Sequence, residues 1–201
     1  MKFLWIDTET TGLDENKNRP FEIAILFVNN RKEADGRITH LECERDFYLN
    51  PMYDGIEFSP EVTTVTGYTE EEIKKFKPAA DVVPVVAEFL KDTITQFGTG
   101  PEEKSFLCGY NVGFDYKMLK ALFKDFGINF DDFILDHHMD VYSQVKAAGD
   151  LRILPYLRDR KLTTVAEHLR VNLENAHNAL ADIKATKEVS KSLHGKGVPL
   201  K

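Results

Sequence analysis

Apolar residues open the chain almost without interruption, and Lys2 to Asp7 (Lys-Phe-Leu-Trp-Ile-Asp) reads as a buried strand. A second apolar run follows at Phe21 to Val28. Asp35-Gly36, a turn dipeptide, separates that run from Arg37 to Glu44, where apolar and polar positions partly alternate. Two strand-like runs around such a dipeptide signal a hairpin, so three early antiparallel strands are predicted.

The pattern then changes period. Ser59-Pro60-Glu61 suits a helix start with proline in the first turn, and Thr69-Glu70-Glu71-Glu72 resembles another cap. From Ala80 the apolar positions fall at Val83, Val86, Ala87, Leu90, Ile94 and Phe97, close to a 3.6-residue period. This predicts an amphipathic helix ending near Gly98, with a turn over Gly98 to Glu103. Ser105 to Tyr110 reads as a buried strand, Phe114 to Phe126 as a helix stopped by Gly127, and Phe133 to Leu135 as a short strand. Helices are predicted near Asp140 to Ala148, over Thr163 to Leu169 and over Asn178 to Leu193. Strands first, then strands alternating with helices, specify an α/β sandwich with a mixed sheet. With no repeat and no shift in composition, residues 1–195 form one domain and 196–201 a short flexible tail.

Composition narrows this picture only a little. The chain has 201 residues, 42% hydrophobic and 29% charged, which suits one soluble globular domain. No apolar run approaches the roughly 20 residues of a membrane helix, and the opening turns acidic at Asp7 too soon for a signal peptide, so a cytoplasmic location is expected. Cys43 and Cys108 lack metal-site spacing and read as free thiols. The net charge of −7 disfavours a tight binder of long duplex. Carboxylates neutralised by bound cations also count in that sum, however, and a protein acting on a chain end needs few phosphate contacts. An end-processing enzyme therefore stays open.

Four clusters carry candidate chemistry. In Asp7-Thr8-Glu9-Thr10-Thr11-Gly12-Leu13, residues two apart on a strand share a face, so Asp7 and Glu9 present paired carboxylates. Like charges that close are unfavourable without a cation between them; the plain alternative is a solvated strand end before a Thr-Gly turn. In Gly109-Tyr110-Asn111-Val112-Gly113-Phe114-Asp115, the aspartate shares a helical face with Leu119 and Leu122, and so points inward. It could equally be an acid placed to favour the helix dipole. In Ala176-His177-Asn178-Ala179-Leu180-Ala181-Asp182, one continuous helix would rotate His177 about 140° away from Asp182. The two can serve one site only if His177 lies in the loop before a helix capped by Asn178; otherwise it is a surface histidine. In His137-His138-Met139-Asp140 the adjacent histidines point apart, which argues against a shared metal, and Asp140 reads as a helix cap or a hydrogen-bonding support.

In sequence, Asp-x-Glu-Thr-Thr-Gly-Leu, then Asn-x-x-Phe-Asp, then His-x-x-x-x-Asp resembles the DEDD exonuclease superfamily in its histidine-containing, DnaQ-like branch. Proofreading exonucleases, oligoribonuclease and ribonuclease T belong to it. The resemblance runs from residue 3 to about residue 193. Glu22 in the second strand, Thr66-Gly67-Tyr68-Thr69 and Ala179-Leu180 agree with it; Tyr110 stands where many relatives have histidine or alanine.

The resemblance implies a ribonuclease-H-like three-layer sandwich, whose mixed central sheet has three antiparallel strands, then two parallel ones, flanked by helices. It implies that Asp7, Glu9, Asp115 and Asp182 hold two divalent cations, Mg²⁺ or Mn²⁺, as hard oxygen ligands suit. His177 would be the general base, since an imidazole of reference pKa about 6.5 accepts a proton near neutral pH. The Thr10 backbone, the Leu13 side chain and Asn111 would contact substrate. The implied reaction is 3′→5′ removal of nucleoside 5′-monophosphates from a nucleic-acid end. Single-stranded DNA is the favoured substrate, in proofreading or repair, with RNA trimming as the alternative. A catalytically silent nucleic-acid-binding module is the reading from another class. The short C-terminal end after the last helix suits a stand-alone nuclease, with no support for a polymerase partner and none for a membrane.

Overall fold

The computed structural model describes residues 2–32, 35–96, 104–174 and 176–199. Five strands form one mixed sheet in the order β3-β2-β1-β4-β5. β1 (Lys2–Thr10), β2 (Pro20–Lys32) and β3 (Ile38–Tyr48) are antiparallel neighbours, whereas β4 (Ser105–Gly109) and β5 (Ile134–Asp140) run parallel to β1. The order three antiparallel, then two parallel, is the one expected.

β1 is central and covered on both faces, which explains its nearly unbroken apolar run. Leu4 and Ile6 pack with Ile23, Ile25 and Phe27 of β2 beneath α3 (Ala79–Gln96) and α4 (Gly113–Asp125). Trp5 packs with Ala24, Leu26 and Val28 beneath α5 (Val141–Asp150), α6 (Leu162–Leu169) and α7 (Ala179–Gly195). Side chains alternate across a strand, so Asp7 and Glu9 continue the Trp5 face toward α7. Two short helices, α1 (Glu61–Thr66) and α2 (Glu70–Ile73), precede α3; Thr69 and Glu72 close a reciprocal capping box at α2.

One local expectation needs correction. β5 runs seven residues, through both histidines to Asp140, instead of stopping at Leu135. Among the described residues only β4 pairs with it, and an edge strand carries polar side chains that hide its period. The chain after α7 is held as far as Val198, which is 1% exposed and donates its N–H to the Leu193 carbonyl. A single valine in the core is enough to tie down the start of a tail that reads as polar. α3 is described as far as Gln96, and the helix end expected near Gly98 and the turn over Gly98 to Glu103 lie outside the described residues. Cys43 and Cys108 are free, as expected. Among the described residues, no helix is long and apolar enough to cross a membrane.

Candidate active site

The C-terminal ends of β1 and β4 lie side by side, and the predicted residues gather there. β1 is bent at its end by a register shift between Glu9 and Thr10, opposite Pro20, which has no N–H to offer the ladder. The chain then enters a loop braced by Asn18, whose amide reaches the Glu57 carbonyl at 2.8 Å and whose Oδ1 accepts from the Asp14 N–H. Gly12 lies against Asn18 so closely that a Cβ there would meet its amide at 2.5 Å. The Thr10 hydroxyl donates to the Gly12 carbonyl at 2.6 Å. Leu13 stands out from the loop, 83% exposed.

Asp115 arrives from the opposite face of the sheet. It is buried in the first turn of α4, in phase with the buried Leu119 and Leu122. Its Oδ1 accepts from both the Thr8 N–H (3.0 Å) and the Thr8 hydroxyl (2.8 Å). Thr8, which sequence reasoning passed over, thereby fixes the carboxylate across 107 residues. No local signal could have shown this. Asn111 begins the turn before α4 with φ 61°, and its N–H donates to Asp140 Oδ1 at 2.7 Å. Asp140 also caps α5 through the N–H groups of Tyr142 and Ser143, which makes it both of the things its sequence suggested.

His177 and Asp182 come from the α7 entry. His177 is exposed in the preceding loop at φ 69°, and its N–H donates to Asp182 Oδ2 at 3.3 Å. Asn178 caps the helix by accepting from the Ala181 N–H. The break before the helix cancels the rotation that would otherwise part the two residues. Ligand atoms of Glu9, His177 and Asp182 all lie within 4.8 Å of one another.

A further residue, Glu22, holds this entry in place. Glu22 is fully buried and sits directly opposite Glu9 on β2. Its Oε1 accepts from the Ala179 N–H and the Asn178 amide, both at 3.1 Å, and from the Tyr48 hydroxyl at 3.3 Å. In the sequence Glu22 stands only as a mark of the resemblance. Its grip on α7 spans 157 residues and is a tertiary fact. Glu22→Ala strands the Ala179 N–H in the interior, a loss of about 1–3 kcal/mol. A melting temperature lower by several degrees is expected, together with a reduced kcat, whereas Glu22→Gln keeps the Oε1 acceptor and much of both. Melting curves and steady-state kinetics of the two variants check this.

The electrostatics are those of a cation site. Burial first, then the charges of Asp115, Asp182, Glu9 and Glu22, push the Asp7 carboxyl well above the usual carboxylate range. Burial with Glu22 and Asp182 raises Glu9 to about 8. Burial raises Asp115 to about 7 against the opposing Thr8 hydrogen bonds, and raises Asp182 to about 6 against the His177 N–H. Asp182 Oδ1 is buried without a hydrogen-bond partner among the described residues. Crowded carboxylates with an unsatisfied oxygen are the donor set that hard divalent cations require. The residues present therefore fit such ions.

Comparison with known proteins agrees. The family model described as exonuclease, of the ribonuclease T type, matches residues 4–190, and the chain belongs to that family. It is 27% identical over 188 residues to the DNA polymerase III PolC-type protein of Caldanaerobacter subterraneus, covering 94% of this chain and 11% of that one. The PolC-type protein of Clostridium perfringens is 26% identical over 190 residues, with the same coverage of each chain. The chain thus spans about a tenth of the length of these curated relatives. Among solved structures, the zinc-bound E. coli exonuclease I complex with single-stranded DNA superposes with a TM-score of 0.77 at 20% identity, over 99% of this chain and 41% of that one. Another exonuclease I structure gives 0.76 at 21% identity, over 99% and 42%. These likenesses establish the ribonuclease-H-like fold.

Proposed function

We propose that the chain hydrolyses the last phosphodiester bond at the 3′ end of a DNA strand, single-stranded at that end, with two divalent cations, and so releases nucleoside 5′-monophosphates. The observation that carries this reading is the convergence of Asp7, Glu9, Asp115 and Asp182, with His177 beside them, at one edge of the sheet. These four carboxylates would hold Mg²⁺ or Mn²⁺. When bound, such ions make water nucleophilic at neutral pH and offset charge on the leaving oxygen.

The chain's own residues then have separable tasks. Thr8 keeps the Asp115 carboxylate aimed at the site, and Glu22 fixes the α7 entry from which His177 and Asp182 project. His177, exposed beside Glu9 and Asp182, accepts the proton of the attacking water. The Thr10 backbone and the protruding Leu13 meet the terminal nucleotide, and Asn111 borders it from the β4 side. His177→Ala is expected to lower kcat by about 10²–10⁴-fold, the usual worth of a general base, with little change in melting temperature. Single-turnover rates and a melting curve decide it.

DNA as substrate draws support from the PolC-type relatives, which are named as DNA polymerases, and from exonuclease I, whose structures contain single-stranded oligonucleotides. Work alongside a DNA polymerase, in proofreading or repair, is the setting this suggests. Matched DNA and RNA strands incubated with Mg²⁺ or Mn²⁺ test the reading. Faster release of 5′-monophosphates from DNA supports it, and faster release from RNA transfers the activity to RNA trimming. Nucleotide binding without turnover marks a silent binding module instead.

A further inference from the structure

A cleft of about 620 Å³ lies between α5 and the segment 150–160. That volume is in the range of roughly 300–1,000 Å³ typical of ligand sites. Its lining includes Arg152, Arg158 and Arg160, against two acids, Asp150 and Asp159. In a chain of net charge −7, the stretch 152–161 carries four basic residues and one acid.

These arginines are not committed to the fold. Arg19, by contrast, is locked onto Asp125 at 2.6 Å and onto two carbonyls, and Lys184 and Lys187 pair with Glu44 and Glu42. Arg158 has only its neighbour Asp159 at 3.7 Å, and Arg152 and Arg160 form no ion pair among the described residues. Beside them, Tyr156 follows Pro155 and is 96% exposed, an aromatic face turned entirely to solvent.

The cleft is linked to the active site by a short chain of contacts. Tyr142 of its wall stands edge-on to Tyr110, with centroids 5.9 Å apart, and the Tyr110 hydroxyl donates to the Arg160 carbonyl. The next residue, Asn111, is held by Asp140, which also caps α5. The wall of the cleft and the loop that delivers Asp115 are therefore one braced unit. A strand whose last nucleotide sits among the carboxylates must lead its remaining phosphates away from an acidic edge. Guanidinium groups bind phosphates with paired donors, and exposed aromatic rings stack on bases of any sequence.

We propose that this cleft is a second subsite, which takes the backbone and one base of the strand 5′ to the nucleotide being removed. It rests on the exonuclease reading above and extends it to the grip on longer single strands.

The test uses the full chain with Ca²⁺, a hard cation that carboxylate sites accept, and fluorescence anisotropy of a labelled long oligothymidylate and of the dinucleotide. The triple variant Arg152→Ala, Arg158→Ala, Arg160→Ala should weaken binding of the long strand by about tenfold or more. Its salt dependence should shrink by about 0.7 in log–log slope per lost phosphate contact. Tyr156→Ala should weaken the long strand by about fivefold or more. The loss on the dinucleotide should be at least about tenfold smaller than on the long strand in the triple variant; this arm also reports the integrity of the fold. Unaltered affinity and salt slope on the long strand, or equal losses on both ligands, would overturn the subsite. Hydrolysis by the wild type with Mg²⁺ or Mn²⁺ is measured in parallel. Wild-type turnover with arginine-independent binding removes the subsite alone; arginine-dependent binding without turnover removes the exonuclease reading alone.

Discussion

Asp7→Asn should lower nucleotide release by at least about 10³-fold and, in the same protein, raise the melting temperature measured in EDTA. The two effects have one origin. Asp7 is half-buried, and the charges that act most strongly on it are all carboxylates: Asp115, Asp182, Glu9 and Glu22. Asparagine keeps the shape and removes the charge, so the metal-free fold loses a repulsion while the cation site loses a ligand. Stability and activity moving in opposite directions is the signature of a residue kept for function at a cost to the fold. Turnover with Mn²⁺ and thermal melting in EDTA measure the pair. Retained turnover would remove Asp7 from the ligand set. A lowered melting temperature would show that the carboxylate supports the apo fold.

The second large effect is on pH and metal together. In the native state Glu9 titrates at about 8, Asp115 at about 7 and Asp182 at about 6, all raised chiefly by burial. An unfolded chain releases the same protons near pH 4, about the reference value for carboxyl groups. Between those limits the native state binds more protons than the unfolded one, so stability falls as pH rises through the window. The stabilisation is complete below the unfolded pKa and is lost as pH passes the native values. From about pH 5 to about pH 8 the metal-free protein should lose on the order of 5–10 °C in melting temperature. Saturating Mn²⁺ should restore it, because the ion favours the ionised carboxylates. A melting temperature that is flat with pH in EDTA would mean that burial does not raise these carboxyl groups.

Much of this was legible before the structure, for identifiable reasons. Asp7 and Glu9 were paired by the two-residue period of a strand, and Asp115 was turned inward by its phase with Leu119 and Leu122. Helical rotation placed His177 before a helix start at Asn178 on the condition that it and Asp182 serve one site. The order of the motifs then pointed to the family and to the sheet. What escaped was what depends on distant pairing. β5 is an edge strand with polar faces, so Asp136-His137-His138 showed no period. The hold of Thr8 on Asp115 and of Glu22 on Ala179 joins segments more than a hundred residues apart. The arginines of segment 150–160 lie outside any helix or strand, where hydropathy has no period to read.

The central claim is directional cleavage at this carboxylate edge, and a strand labelled at its 5′ end tests it most directly. With Mg²⁺ or Mn²⁺ the labelled DNA should shorten one nucleotide at a time from its free 3′ end. A 3′-phosphate should block the start, and Asp7→Asn should leave the strand intact. Internal fragments from the first time point, or an undegraded strand with either metal, would contradict the account.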